Sequence, residues 1–146
     1  MKKILVTGGT GLLGTSLVNY LKSISYEVEV LSKNNKDINY RIDLINKNEL
    51  FKFLDNSKPS IILNLAALTN VDRCENFPNE AYLYNVKIPE NLANWLKNNQ
   101  KKCHLIHLST DQVYGFDKIH SEEDIKISNI YGLSKYAGEM AFKGLP

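Results

Sequence analysis

The first fourteen residues constrain the fold of this chain more than any other part of its sequence. An apolar strand leads directly into Gly8, Gly11 and Gly14, and apolar residues at helical spacing follow. In such a turn one glycine permits the tight bend, the next lets the backbone approach a pyrophosphate, and the third lets helix and strand pack closely. Phosphates then bind the N–H groups at the positive end of the helix. The segment therefore predicts a dinucleotide-binding loop.

Strand-like and helix-like segments alternate along the remaining sequence, which is typical of a parallel sheet with crossover helices. The sequence predicts strands at 3–7, 27–32, 40–42, 60–66 and 103–109, and helices at 11–23, 47–56, 79–98 and 130–142. The first, fourth and fifth strands are nearly continuous apolar runs, which indicates burial on both faces. We expect an α/β fold, a doubly wound, three-layered parallel sheet of Rossmann type, with ligands at the carboxyl ends of the strands.

Size and composition favour one dinucleotide-binding domain over residues 1–146, with no second domain. The chain has 146 residues, 43% of them hydrophobic, and a net charge of +2. Its lysines are scattered, so we expect no nucleic-acid partner. No apolar run approaches the ~20 residues that span a membrane, and glycines interrupt the only candidate signal peptide, so we expect a cytoplasmic protein.

Cysteine and histidine give no indication of a metal site. Cys74 and Cys103 are too few for a disulfide framework and are interpreted as reduced thiols. His104 and His107 lie three apart on a predicted strand, whose side chains alternate between faces, so they point apart. We therefore expect no metal.

The end of the second strand bears on the choice of cofactor. An acidic residue there would accept hydrogen bonds from the adenosine ribose, but Ser32 and Lys33 occupy this position. A hydroxyl and a cation suit the 2′-phosphate of NADP, and the sequence therefore favours NADP. Lys33 is alternatively a solvated loop lysine, which leaves NAD possible.

Tyr131 and Lys135 place a phenol and an ammonium one helical turn apart on one face. A neighbouring cation stabilises a phenolate and so makes a tyrosine useful in proton transfer at neutral pH. A second such pair, Tyr114 and Lys118, has a glycine and an aspartate between its members, which favour a loop. Asn129 is a good N-cap for a helix at the first pair, which is therefore the candidate catalytic pair.

Together these motifs resemble those of the extended short-chain dehydrogenases/reductases that act on nucleotide sugars. Four motifs in chain order carry the resemblance: Thr7-Gly8-x-x-Gly11-x-x-Gly14, Asn64-Leu65-Ala66-Ala67, Ser109-Thr110-Asp111-x-Val113-Tyr114 and Tyr131-x-x-x-Lys135. Within that family, residues 66–75 and 109–111 are similar to the dTDP-4-dehydrorhamnose reductase branch. The resemblance implies NADPH-dependent reduction of a nucleotide-linked 4-keto-6-deoxy sugar.

The resemblance also implies roles for individual residues. Tyr131 would protonate the carbonyl oxygen at sugar C4, Lys135 would hold the nicotinamide ribose, and Thr110 would bond to the same carbonyl oxygen. Asp43 would meet the adenine edge. The implied cofactor-binding residues are Gly8, Thr10, Gly11, Leu12, Leu13, Gly14, Ser32, Lys33, Asp43, Leu44, Ala66, Ala67, Tyr131 and Lys135.

Two further residues, Thr69 and Asp111, are candidate substrate contacts. Both have a bland alternative, because short polar side chains also satisfy local backbone groups. Thr69, or Asp72 beyond it, would then cap the segment that follows, and Asp111 would close a turn.

Length separates this chain from the family, whose members are about twice as long. Only eleven residues follow Lys135. We expect the chain to be truncated before the C-terminal substrate-binding part, with the edge of the sheet beside the fifth strand unpaired. The expected partners are a nucleotide-sugar substrate and either a second copy of this chain, in a homo-oligomer, or another chain that supplies the missing C-terminal part. An epimerase or dehydratase and a non-catalytic, dinucleotide-binding regulatory subunit are the alternative functions.

Overall fold

Five parallel strands form one sheet in the computed structural model, which describes residues 2–32, 40–99, 103–115 and 119–145. The strands are β1 (Lys3–Thr7), β2 (Glu27–Ser32), β3 (Tyr40–Arg41), β4 (Ile61–Asn64) and β5 (His104–His107). Their order across the sheet is β3-β2-β1-β4-β5, and every neighbouring pair is parallel. The predicted α/β, doubly wound class is thus confirmed.

The strand order reverses beside β1, and this reversal positions the candidate site. The chain moves from β1 outward to β2 and β3, then returns across the sheet to β4 and β5. Thr7 at the end of β1 pairs with Leu31 of β2 on one side and with Asn64 of β4 on the other. Crossover connections leave in opposite directions there and open a crevice beyond the carboxyl ends of the strands.

Helices cover both faces of the sheet and complete three layers. They are α1 (Leu12–Ser23), α2 (Lys47–Ser57), α3 (Val71–Asn76), α4 (Pro78–Tyr82), α5 (Ile88–Asn99) and α6 (Ile130–Met140). On one face, Ile4 and Val6 of β1 pack with Val18 of α1. On the other face, Leu5 belongs to the larger core that α2 and α5 build. The alternation of a strand's side chains thus divides the core between two layers.

The larger core lies between the sheet and the helices α2 and α5. Leu50, Leu54, Leu92 and Trp95 are fully buried in it. Burying such a side chain stabilises the fold by roughly 1.5–3 kcal/mol. The Trp95 indole N–H donates to Asp55 Oδ1 at 3.0 Å, so the one polar atom of that ring is satisfied.

The fifth strand differs from its prediction. Its apolar run indicated burial on both faces, but β5 lies at the edge of the described sheet, and Ile106 and Leu108 are 48% and 47% exposed. This edge is unpaired among the described strands, as predicted. An apolar run fixes neither the position of a strand in the sheet nor the cover on its second face, so the prediction of two-sided burial is wrong here.

The predicted helix 79–98 is interrupted by a π-helical turn, Leu83–Lys87, which joins α4 to α5. Pro89 follows this turn and cannot donate to the carbonyl of Asn85, which explains the local widening of the helix. That carbonyl lies against Gly138 of α6, where an added Cβ would come within 2.3 Å of it. The irregular turn therefore lets α6 pack closely on the helix before it.

Helix α3 is an element that the sequence analysis missed. Its N-cap is Asn70, whose Oδ1 accepts from the Arg73 amide at 2.7 Å. The cap is therefore neither Thr69 nor Asp72, the two residues considered for it. Within the described parts of the chain, every helix is too short or too polar to traverse a lipid bilayer.

Candidate active site

A cleft of about 530 Å³ lies beyond the carboxyl ends of the central strands. It brings together four segments that are distant in sequence: the glycine loop, the end of β2, the turn after β3 and the loop after β4. The predicted cofactor residues that line it are Gly8, Thr10, Gly11, Leu12, Leu13, Gly14, Ser32, Asp43, Leu44, Ala66 and Ala67. Thr69, a predicted substrate contact, lines the same cleft. Lys33 lies outside the described residues.

Gly8, Gly11 and Gly14 of the loop have three different environments. Gly8 has a φ of +68°, and a Cβ there would lie 2.8 Å from the Ala66 nitrogen. Gly14 is packed so closely that its Cβ would lie 2.3 Å from the Gly8 carbonyl oxygen. By contrast, a Cβ on Gly11 would meet only the Gly8 carbonyl oxygen, at 3.3 Å. Gly8 therefore makes the turn and Gly14 the close packing, while Gly11 leaves open space in the cleft.

The start of α1 opens onto the cleft. Its N-cap is Gly11, which provides no side-chain hydrogen bond, and Leu12 is 98% exposed. The first N–H groups of a helix have no intrahelical acceptors, and the helix dipole makes this end positive. Near it, Thr10 Oγ1 and Ser32 Oγ lie 3.3 Å apart. The cleft thus combines backbone donors and two hydroxyls, a set suited to phosphate oxygens.

A chain of polar side chains crosses the carboxyl ends of β1, β4 and β5. The Ala66 amide donates to Thr7 Oγ1 at 3.3 Å, and the Thr7 hydroxyl donates to Asn64 Oδ1 at 2.6 Å. The Asn64 amide group lies 2.9 Å from His107 Nδ1. These bonds hold the backbone at Ala66 against Gly8, so they shape one wall of the cleft.

The imidazole of His107 is kept neutral by its surroundings. Burial, together with the positive charge of Lys135, lowers its pKa from 6.5 to about 4. A neutral ring has one nitrogen that accepts, and the contact with the Asn64 amide makes Nδ1 that acceptor. The ring also packs against Phe142, with centroids 5.2 Å apart. The polar chain therefore ends in a group that stays uncharged at neutral pH.

Helix α6 carries the candidate catalytic pair and begins at the predicted cap. Asn129 Oδ1 accepts from the Gly132 amide at 2.6 Å. Tyr131, one residue inside the helix, is 8% exposed and packs with Cys74 and Ala81. Neither Tyr131 nor Lys135 lines the cleft itself.

Lys135 reaches the end of β5 from α6. Its side chain is almost fully buried, and Nζ donates to the Leu108 carbonyl at 2.5 Å. Leu108 is part of the cleft wall, so the ammonium lies beside the cleft. Burial lowers the pKa of Lys135 from 10.5 to about 8, while the charge of Glu139 opposes that shift. This lysine is therefore a cation at neutral pH that is held in a site costly to charge.

The residues after β5 form a 3₁₀ turn, Asp111–Val113. Thr110 caps it, since Thr110 Oγ1 accepts from the Gln112 amide at 3.2 Å, while its own hydroxyl donates to Asp111 Oδ1 at 3.3 Å. Asp111 is exposed and its carbonyl accepts from the Tyr114 amide. It therefore closes a turn, which is the structural alternative to a substrate contact. Thr110 and Asp111 do not line the cleft.

Tyr114, the first residue of the competing pair with Lys118, is not on a helix. Tyr114 forms an isolated antiparallel bridge with Ile125, and its ring stacks on His120 with centroids 5.6 Å apart. Lys118 lies outside the described residues. The predicted loop at Tyr114 is therefore confirmed.

Sequence reasoning missed two buried asparagines that hold the loops around the cleft. Asn85 Oδ1 accepts from the Leu68 amide at 2.7 Å, and Asn85 Nδ2 donates to the Leu68 carbonyl and to Ser134 Oγ, both at 2.9 Å. Asn91 Nδ2 donates to the carbonyls of Leu44 and Ile45. The available signal was an asparagine on the apolar face of a predicted helix, because a buried amide needs partners.

In the part of the chain that the structure describes, no group of three acidic, histidine or cysteine side chains is arranged to hold a metal ion.

Comparison with protein families places residues 1–144 in one match, to the RmlD substrate binding domain. A curated relative, the dTDP-4-dehydrorhamnose reductase of Aggregatibacter actinomycetemcomitans, is 34% identical over 144 residues, which are 95% of this chain and 46% of that protein. The chain spans about half the length of the curated relatives it matches.

Solved structures show the same likeness. The dTDP-4-dehydrorhamnose reductase from Yersinia enterocolitica superposes with a TM-score of 0.84 at 34% identity, over 99% of this chain and 49% of that one. The enzyme of the same name from Bacillus anthracis, solved in complex with NADP, gives a TM-score of 0.84 at 29% identity, over 99% of this chain and 50% of that one.

The acid stability of the fold should depend on His107. In the unfolded chain a histidine takes up a proton near pH 6.5, but in the folded chain only near pH 4. Burial of neutral His107 therefore leaves the free energy of unfolding undiminished above pH 6.5. As the pH falls from 6.5 toward 4, that free energy decreases by up to about 3 kcal/mol, because only the unfolded chain takes up the proton. His107→Gln keeps an acceptor for Asn64 without this proton, so its unfolding free energy should fall less steeply with acid in urea titrations.

His104→Gln is the matched control, because His104 is exposed on the same strand. It should follow the wild-type pH dependence. If the unfolding free energy of the wild type and of His107→Gln fell equally steeply with acid, the lowered pKa of His107 would be contradicted.

Proposed function

The chain belongs to the RmlD substrate binding domain family, and from that membership and the geometry of the cleft we propose that it binds NADPH and serves a reductase of nucleotide-linked 4-keto-6-deoxy sugars. Residues 1–146 are, in this proposal, the dinucleotide-binding domain of that enzyme. The sugar pocket is assigned to protein outside the described residues.

The observation that carries the proposal is the juxtaposition of two sites. The glycine loop and the start of α1 offer backbone donors along one end of the cleft, and Leu108, which bonds to the Lys135 ammonium, forms part of its wall. A dinucleotide has a pyrophosphate in its middle and a ribose on each side. The open space above Gly11 fits the pyrophosphate, and the Lys135 ammonium beside the cleft fits a ribose hydroxyl.

The residues of α6 would then perform the proton chemistry. NADPH, when bound, supplies the hydride that reduces a ketone. Lys135 would bind the nicotinamide ribose, one helical turn from Tyr131 on the same face of α6. The Tyr131 phenol donates its proton to the sugar oxygen as negative charge develops there, which is where general acid catalysis is most effective.

Thr110 assists at the same oxygen in this mechanism. Its hydroxyl hydrogen lies on a long bond to Asp111 Oδ1, 3.3 Å, which a better acceptor can replace. Thr110 and Tyr131 then share the sugar oxygen, while Thr69 and Asp111 lie nearer the rest of the sugar.

The choice of NADPH over NADH rests on the end of β2. Ser32 stands there with Thr10 beside it, and no carboxylate from β2 lines the cleft. A carboxylate at this position binds the ribose 2′-hydroxyl of NAD and repels a 2′-phosphate, whereas hydroxyls accept either group. The related Bacillus anthracis enzyme was solved with NADP, which supports the same choice.

A reductase is favoured over a non-catalytic, dinucleotide-binding subunit by the state of Lys135. Burying an ammonium is costly, and a protein with no use for its charge gains stability from an apolar side chain instead. In this chain the buried position holds a lysine, whose ammonium donates to the Leu108 carbonyl beside the cleft. A buried charge that lowers stability in this way is expected where the charge has a function.

Cofactor binding tests the first half of the proposal. We expect the chain to bind NADPH at least about tenfold more tightly than NADH in fluorescence titrations, an advantage of about 1.4 kcal/mol. Gly11→Trp should remove most of this affinity, because it fills the cleft where the pyrophosphate lies. The variant should still fold, with some loss of stability, because its Cβ would lie 3.3 Å from the Gly8 carbonyl oxygen and no other atom is close.

Lys52→Trp, at an exposed position of α2, is the control and should bind both nucleotides normally. Equal affinity for the two nucleotides, or no binding of either by a folded chain, would contradict the proposal.

Catalysis tests the second half, in the form of the protein that includes the sugar pocket. Tyr131→Phe should lower kcat by roughly 10²-fold or more while leaving the Kd for NADPH nearly unchanged, because the phenol acts on the developing alkoxide. Turnover is followed by NADPH oxidation with a dTDP-linked 4-keto-6-deoxy sugar. Tyr114→Phe is the matched control and should retain activity. The reverse pattern of losses would refute the assignment of Tyr131.

A further inference from the structure

Two consecutive residues at the end of β5 hold two side chains of α6 that lie one helical turn apart. The carbonyl of Leu108 accepts from Lys135 Nζ at 2.5 Å. The hydroxyl of the next residue, Ser109, donates to Glu139 Oε1. Lys135 and Glu139 are four residues apart in one helix, so their side chains lie on the same face. The residues after β5 thus hold two side chains of opposite charge on one face of α6.

Lys135 is placed where its charge is hard to keep. Its side chain is 2% exposed, and the acceptor that the structure gives its ammonium is a neutral backbone carbonyl. Burial acts against the charged form, and the charge of Glu139 acts in favour of it. With a pKa of about 8 the lysine is about 90% charged at pH 7, and a fall of one unit would leave about half of it charged.

The other titratable groups around Lys135 do not replace Glu139. His107 on β5 is neutral in this pH range, and Tyr131 on α6 is the phenol that Lys135 would serve. The charged groups on other elements packed against α6 are exposed or bonded elsewhere: Asp72, Arg73, Glu75, Glu80, Lys87, Glu90, Lys97 and Asp111.

We propose that Glu139, held in place by Ser109, is a positioning residue that keeps the Lys135 ammonium charged beside the cleft. The role of Lys135 toward a bound dinucleotide rests on the proposed function, but the pairing with Glu139 is a property of the chain alone. Glu139 acts through Lys135 and touches neither cofactor nor substrate. Loss of its charge lowers the fraction of Lys135 that is charged at neutral pH, and so weakens the hold of Lys135 on the ribose.

The protonation of Lys135 can be measured directly on this chain without cofactor. With lysine labelled at Cε, the Lys135 NMR signal is identified by its absence in Lys135→Met, and its shift is followed with pH. We expect a midpoint near 8 in the wild type. In Glu139→Gln the midpoint should fall by about one unit or more, because the opposing burial remains. Glu139→Asp, which keeps the charge, should recover at least half of that fall.

Glu90→Gln removes an exposed carboxylate that pairs with Lys87, and it should leave the Lys135 midpoint unchanged. If Glu139→Gln fails to fold, Ser109→Ala is the test: it releases the carboxylate, and the midpoint should fall by a smaller amount. An unchanged midpoint in Glu139→Gln, or in Ser109→Ala where that variant stands in for it, overturns the proposal. An equal fall of the Lys135 midpoint in Glu139→Gln and Glu139→Asp also overturns the proposal, because altered packing, and not lost charge, would then be the cause.

This experiment stays informative whatever the chain binds. A chain that fails to bind NADPH but shows the fall in Glu139→Gln refutes the proposed function and supports the pairing. A chain that binds NADPH normally and shows no fall does the opposite.

Discussion

The close approach of α1 to the end of β1 is the constraint on which the rest of the site depends. Gly14 lies so near the carbonyl of Gly8 that no side chain fits between helix and strand. This contact sets the start of α1 directly over the reversal in strand order, where the sheet opens into a crevice. The positive end of the helix and the free space above Gly11 therefore coincide. Cofactor binding needs little side-chain charge in such a site.

A second level of order comes from polar groups that join the carboxyl ends of the strands to the helices behind them. The Thr7–Asn64–His107 chain fixes the loop after β4, and Asn85 ties the next part of that loop to Ser134 on α6. Buried polar groups of this kind specify one arrangement, because each leaves an unsatisfied partner if the parts shift. The glycine loop, the β4 loop and α6 are in this way held as one unit.

The sequence predicted the parts of this arrangement that depend on local pattern. The glycine spacing identified the loop, and Asn129 identified the start of α6, because turns and caps are decided by a few neighbouring residues. It did not predict that β5 would have an exposed face, nor that the helix before Pro89 would widen into a π turn. The exposed face of β5 depends on what lies across the sheet. Pro89 is visible in the sequence, but a proline can also bend or end a helix, so it does not by itself specify a π turn. Asn85 and Glu139 were missed because their partners, Leu68 and Ser109, are distant in sequence.

We propose that the cleft at the carboxyl ends of β1 and β4 is a dinucleotide site. Amide NMR of the labelled chain during an NADPH titration tests it most directly. We expect the largest changes in amide chemical shift at residues 8–14, 32, 43–44 and 66–67. The amides of Lys135 and its neighbours on α6 should also shift as the nicotinamide end binds. The proposal is contradicted if the changes fall instead on the groove between α5 and the end of the chain, around Lys97 and Phe142, or if saturating NADPH shifts no cleft amide.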